Sequence, residues 1–388
     1  MSRFEIKNWC PGTLRPMLSG DGLVVRIRPH GSALSPAQAA GIAKAAAKHG
    51  NGLIDLTSRA NLQLRGVDPS SHGELLSDLA TLALIDRNVT AETRRNIIVT
   101  PFRCERHGPE TSELASALEE VLDRSPDLTS KFGFAIDTGK APVLPEVSAD
   151  IRLERTSCGQ LIVRADGAPL GSFVARSEAP EAALALASWF AKSGGVQEGR
   201  GRMAKHLANG ARPSNAQDWN ALPAASTPTP APGLHDEGFF VAAEYGQLHA
   251  ETLGKFAEMG REIRLTPWRM LFLHGISDVP DAEGLITKAD DPRLNTTACT
   301  GAPGCLQAHA QTRELARALA PHVPKGSHLH VSGCAKGCAH PTPATVTLCA
   351  TREGFDLIQN GRACDRAHRA NLTEEEILLL PHSLFEAS

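Results

Sequence analysis

Two cysteine pairs are the residues of this chain best suited to chemistry. Cys299 and Cys305 stand in TACTGAPGC as Cys-x5-Cys, and Cys334 and Cys338 in VSGCAKGCAHP as Cys-x3-Cys. Thiols so placed read as a disulfide set, a metal site or a reactive pair. The sequence holds nine cysteines, an odd number, and its first residues, MSRFEIKNWC, lack the apolar core of a secretory signal. A cytoplasmic protein is therefore expected, and a disulfide framework is not. Structural zinc favours knuckles with two to four intervening residues, shorter than the first pair. An iron–sulfur cluster is wider than one ion and accepts longer bites, so spacing favours it over zinc, with unrelated buried thiols as the remaining reading. Cys10, Cys104, Cys158, Cys349 and Cys364 have no partner spacing and read as small buried hydrophobes.

The elements between the pairs must bring them together. The pattern predicts a helix over roughly 305–320, Pro321 and Pro324 as punctuation, and a short strand at 328–331. Gly301, Gly304, Gly333 and Gly337 allow tight turns and leave amides free to donate to sulfur. His328, His330 and His340 flank the second pair, the first two on one strand face by period two. Each alone reads as a structural or surface histidine.

An internal repeat organises the rest. Residues 54–66, IDLTSRANLQLRG, align without a gap with 263–275, IRLTPWRMLFLHG. Each copy follows a strand (GLVVRIR at 22–28, GFFVAA at 238–243) and a helix. The first helix starts at Ser35 with Pro36 in its first turn and ends before Gly50, and the second covers about 248–259 and ends at Gly260. Two β-α-β-β modules are expected to pair into one pseudo-symmetric unit. Between them, PSNAQDWNALPAASTPTPAPG reads as a linker. The expected organisation is a first half-domain over 1–67, a lobe over 68–212, a linker over 213–235, a second half-domain over 236–278 and the cysteine lobe over 279–388. At 388 residues, 41% hydrophobic, 21% charged and with a net charge of −3, the chain has neither a basic nucleic-acid footprint nor a membrane-spanning run.

Taken together, the repeat and the cysteine pattern resemble the nitrite and sulfite reductase family. The resemblance implies an α+β fold with pseudo-two-fold symmetry, a shared ferredoxin-like domain and two tetrapyrrole- and cluster-binding lobes. It implies that Cys299, Cys305, Cys334 and Cys338 hold a 4Fe–4S cluster. By the same resemblance Arg26, Arg95 and Lys131 match family cations over the active centre, while Thr57, Arg59 and Gln63 contact tetrapyrrole carboxylates, as do Arg202 and Lys205 in RGRMAKHLANGAR. Arginine forks suit carboxylates because they bind both oxygens.

Two positions depart from the family pattern. Gly133 stands where a second lysine is expected, and Asp55 where an arginine is expected. Losing a lysine weakens a site that must hold an oxyanion and deliver protons to it. The chain is shorter than typical reductases, and their glycine-rich sirohaem loop has no clear counterpart around GQLIVRADGAPLG. CPGTLRPMLSGDGLVVRI and IRLTPWRMLFLHG instead resemble the branch of the family that serves aerobic cobalamin biosynthesis. That branch implies precorrin-3A and dioxygen as substrates, a mononuclear non-haem iron with unassigned ligands, and electrons from NADH through a reductase or ferredoxin. Sirohaem is not expected on that reading. The alternatives are a sirohaem-dependent nitrite or sulfite reductase and a non-enzymatic tetrapyrrole- or zinc-binding protein.

Overall fold

A computed structural model describes residues 9–103, 108–139, 141–214 and 216–386. Its centre is the expected pair of modules, and they exchange strands. One sheet runs Met17–Ser19, Gly22–Ile27, Leu62–Val67, Leu53–Leu56 and then Gln247–His249, which comes from the second module. The other runs Gly233–His235, Gly238–Ala243, Met270–His274, Ile263–Leu265 and then Ala33–Leu34, from the first. Each module thus completes its partner's sheet edge, leaving neither edge open there.

Local chemistry explains the elements. The helix Pro36–His49 opens on a capping box, with Ser35 Oγ accepting from the Gln38 amide at 3.2 Å and Gln38 Oε1 accepting from the Ser35 amide at 3.0 Å. Its buried Ala39, Ile42, Ala43 and Ala46 share one core with Leu253, Phe256 and Ala257 of the helix Ala250–Glu258. The repeat extends to strained backbone. Ala60 (φ 52°) and Arg269 (φ 60°) occupy the same place in the two copies, both in the left-handed region.

Each module is followed by a lobe with its own core. The first lobe's sheet is ordered Ser172–Phe173, Leu161–Ala165, Ile151–Arg155, Phe134–Asp137, Ile97–Val99. The second is ordered Thr296–Ala298, Leu329–Ser332, Ala344–Ala350, Phe355–Gly361, Arg369–Leu372. In both, the three strands nearest the module end of the chain run parallel and the rest antiparallel.

Several expectations shift. The helix expected from 305 begins at Arg313 and ends at Leu319. Residues before it spend their backbone bonds on loop closure instead: Ala302 N–H donates to Ala310 O at 2.9 Å and His309 N–H to Gly333 O at 2.8 Å. The first module's core does not stop at Val67, because Leu75, Leu79 and Leu84 lie in it. The segment read as a linker lies along the first lobe, with Ala224 N–H donating to Arg155 O and Thr227 N–H to Pro142 O, and its last residues form the strand Gly233–His235. Cys349 is buried as expected, whereas Cys158 and Cys364 are exposed, and Cys104 lies outside the described residues.

Candidate functional site

The cysteines converge because of strand direction. Thr296–Ala298 and Leu329–Ser332 are parallel neighbours, with Ala298 opposite Val331. Cys299 leaves the end of one and Cys334 follows the end of the other, the edge where parallel sheets commonly place their ligands. The Gly333 amide donates to Cys299 Sγ at 3.1 Å, and a Cβ on Gly333 would sit 2.7 Å from the Ala308 Cβ, so only glycine allows that approach. Thr312 Oγ1 anchors the same turn by donating to Cys299 O at 2.7 Å.

The thiols feel one another. Burial raises the Cys334 thiol, and Cys305 and Cys299 add to it. Cys338 is open to solvent in the cleft, yet enough protein surrounds it that desolvation, with Cys299, Cys334 and Cys305, pushes it up to about 11. Such a set is stabilised as thiolates only when a cationic group neutralises it. Backbone N–H donation to sulfur and four convergent thiols fit an iron–sulfur cluster. Among the described residues, no group of three or more His, Cys, Asp or Glu side chains is drawn close enough to hold a metal ion.

Beside the cysteines runs a polar row. In the first sheet Arg26 lies opposite Gln63, Gln63 opposite Asp55, and Asp55 opposite Gln247. Direct partners share a face, so these four side chains line one side while Ile27, Ile54, Leu62 and Leu64 fill the core on the other. The second sheet has Phe240, Phe272, Arg264 and Ala33 at the corresponding places. There Phe240 and Phe272 pack at 4.5 Å and are fully buried. Pseudo-symmetry therefore yields one polar slot, with its counterpart closed by apolar packing.

Three of the six expected cations, Arg26, Arg59 and Arg202, lie together here. Arg59 and Arg202 both donate to the Lys131 carbonyl, at 3.2 and 3.4 Å, and to Ser148 Oγ, at 3.3 and 2.8 Å. Burial lowers the Arg59 pKa, and the charge of Arg202 lowers it further. Burial also lowers Arg26, with Arg59 acting in the same direction. Arg26 Nε and Arg59 Nη1 are buried without hydrogen-bond partners. Asp150 positions Arg202 through a 3.0 Å contact and itself is raised by burial. Thr57 acts on the turn, its Oγ1 accepting the amides of Arg59 (3.3 Å) and Asn61 (3.1 Å). The Lys131 and Lys205 side chains are exposed and make no described hydrogen bond or ion pair.

Arg95 is held differently. Its fork is taken by Asp86, at 2.8 and 2.7 Å, and it is buried in that pair rather than directed at a substrate. That pair takes the Nε–Nη2 edge of the guanidinium, and Nη1 lies 3.9 Å from Glu119. Gly133 has no room for the lysine of the family pattern: a Cβ there would meet Asn96 Nδ2 at 2.7 Å.

The sequence reading missed the slot's far side. Asp55 accepts from Arg313 Nη2 at 3.2 Å and from Gln247 Nε2 at 3.1 Å, and lies 3.7 Å from Arg65. Arg269 donates to Ala339 O at 3.1 Å, next to Cys338. The only sequence signal for Arg269 was its place in the repeat, and Arg313 carried none.

The histidines do assemble, but without forming a cage. His328 and His340 stack at 4.6 Å and 27°, and His330 lies 5.6 Å from His340. Burial lowers His328 and His330 to about 4, and His330 is fully buried with neither ring nitrogen bonded. Only the His328–His340 pair is stacked; His330 is tilted by 55° to His340.

The reciprocal sheets and the two lobes form an α+β fold like that of nitrite/sulfite reductase-type structures. Residues 15–82 match the nitrite/sulfite reductase ferredoxin-like half domain. The structure superposes on the Mycobacterium tuberculosis NirA protein with a TM-score of 0.61 and 20% identity, covering 93% of this chain and 79% of that one. In sequence the chain resembles the precorrin-3B synthase of Sinorhizobium sp, with 29% identity over 385 residues, 91% of this chain and 83% of that protein. Among the described residues no helix is long and apolar enough to cross a membrane.

Proposed function

We propose that this chain is an oxidoreductase of cobalamin biosynthesis that acts as a dioxygen-dependent monooxygenase on precorrin-3A. One oxygen atom hydroxylates the meso carbon joining rings A and D, the ring-A acetate closes as a lactone, and the other oxygen leaves as water. The two electrons come from NADH through a reductase or ferredoxin. The observation that carries this reading is the pair of unpartnered guanidinium N–H groups: Arg26 Nε and Arg59 Nη1 are buried without hydrogen-bond partners, and Arg26 belongs to the row of side chains that ends at Asp55 and Gln247.

The residues supply binding and orientation. Arg26, Arg59 and Arg202 repel one another when the slot holds no anion, and a polycarboxylate relieves that repulsion while filling their open donors. Each charge-assisted bond contributes about 1.5–3 kcal/mol. Gln63 and Gln247 offer neutral amides between the charged groups. Cys299, Cys305, Cys334 and Cys338 would hold a 4Fe–4S cluster, which supplies electrons singly when bound. Dioxygen is neutral and needs no second lysine, which accords with Gly133.

The test is direct. Protein purified anaerobically should contain iron and sulfide without sirohaem, and should convert precorrin-3A only when dioxygen and a reductant are present. Stoichiometric sirohaem, or reduction of sulfite or nitrite with an artificial donor, would overturn this reading in favour of a reductase.

A further inference from the structure

Arg269 holds a left-handed backbone conformation, φ 60°, that residues other than glycine rarely adopt. Its counterpart in the first copy, Ala60, adopts the same conformation at φ 52°, so the turn itself demands it. The second copy places a long cation there, where a glycine would fit without strain. The side chain is then fixed along its length. Its stem crosses Gly246, where a Cβ would meet Arg269 Cδ at 2.7 Å, and its Nη2 donates to Ala339 O at 3.1 Å. Its charge is felt by Cys338 and Cys299 and is opposed by that of Asp55.

Asp55 connects the two sides. It ties Arg313, on the helix that follows the first cysteine pair, to the polar row of the first sheet. The arginine that the family resemblance leads one to expect at position 55 is thus met by arginines reaching in from the other half, with Asp55 as their counter-ion. We propose that Arg269 is a positioning residue that fixes the Cys338 loop and sets the reduction potential of the cluster held by the four cysteines, with Asp55 as its opposing charge. The inference rests on the iron–sulfur part of the function proposed above. An added electron makes the cluster more negative; a guanidinium beside its thiolates stabilises that state, and a carboxylate opposes it.

Full-length wild type, Arg269→Gln, Arg269→Lys and Asp55→Asn would be purified anaerobically and assayed for iron and sulfide. Each would then be titrated with dithionite under spin-resonance detection. Glutamine keeps a donor for Ala339 O but removes the charge. At a poise where the wild type is half reduced, its ratio of reduced to oxidised cluster should fall about tenfold, which is 59 mV for one electron. Asp55→Asn should move the ratio in the opposite direction, and Arg269→Lys should stay near wild type. Opposite signs separate electrostatics from general loosening of the loop. If Arg269→Gln loses its cluster, Arg269→Lys and Asp55→Asn decide the question. Unchanged potentials, or shifts of one sign in both charge variants, would overturn the inference while leaving the cluster intact. A wild type without iron and sulfide would instead refute the cluster reading, and this inference with it.

Discussion

Arg65 Nη2 donates to the carbonyl oxygen of Gly304 at 2.8 Å, tying the first sheet to the residue before Cys305. The same guanidinium grips both oxygens of Asp21, at 3.1 and 2.8 Å, and Ser19 Oγ donates to the Gly304 carbonyl at 2.6 Å. The loop carrying the first cysteine pair is therefore held by a module more than two hundred residues earlier in the chain. Arg65→Ala should cost about 1.5–3 kcal/mol in urea unfolding and lower the iron bound per chain. Arg65→Lys should recover only part of this, since a point ammonium does not match a two-oxygen carboxylate while also reaching Gly304. Wild-type iron content in Arg65→Ala would show that the loop needs no such tether.

Arg59 and Arg95 should separate cleanly in experiment. Arg59 bears an unpartnered donor in the slot, so Arg59→Ala should weaken binding of a tetrapyrrole polycarboxylate by about 1.5–3 kcal/mol with little change in stability. Arg95→Ala strands the partly buried carboxylate of Asp86 and should destabilise the fold by about 1–3 kcal/mol while leaving affinity intact in the folded fraction. Titration monitored by fluorescence, paired with thermal melts, measures both. Loss of affinity in Arg95→Ala at unchanged stability would return that arginine to the site.

Gly133 tests the missing lysine. Asn96 Nδ2, which donates to Phe132 O at 2.9 Å, occupies the space a side chain at 133 would need. Gly133→Ala should therefore cost about 1–3 kcal/mol through overpacking. Gly133→Lys should destabilise at least as much and should not create sulfite or nitrite binding. A stable Gly133→Lys protein that binds either anion would mean that the slot is closer to a reductase site than its packing suggests.

The sequence was informative where local chemistry decides structure. The Ser35–Gln38 capping box, the ungapped repeat and the cysteine spacings each carry their signal within a few residues, and the strands and the first helix followed. What it could not show depends on contacts between distant segments. Arg95 matched a motif position, but its fork is paired with Asp86, a partner that no spacing announces. The loop before Arg313 has helix-forming residues, yet backbone bonds to the neighbouring cysteine loop outweighed that modest propensity. The exchange of Gln247–His249 and Ala33–Leu34 between sheets, which defines the slot, is likewise a relation between segments about two hundred residues apart.

Asp137 makes the fold sensitive to pH in a direction that can be worked out. It is buried at the end of the strand Phe134–Asp137, and burial pushes its carboxyl up to about 6 even though Oδ2 accepts the amides of Val143 (2.8 Å) and Leu144 (2.6 Å). In the unfolded chain the group titrates near its ordinary 3.8. A raised carboxyl favours the protonated form in the fold, so its contribution is fully present below about pH 4 and is lost as pH rises through 6. Above that range the buried charge costs roughly 2–3 kcal/mol. Asp137→Asn keeps an oxygen for both amides and removes the charge. It should raise the melting temperature at pH 7–8, with the gain shrinking to nothing as pH falls toward 4. Buried His330 acts in the opposite sense: its pKa is depressed to about 4, so its contribution is present above 6.5 and lost on acidification. The melts should therefore be compared as variant minus wild type at each pH, which cancels the histidine contribution. A constant difference from pH 4 to pH 8 would show that Asp137 keeps an ordinary carboxyl pKa in the folded protein.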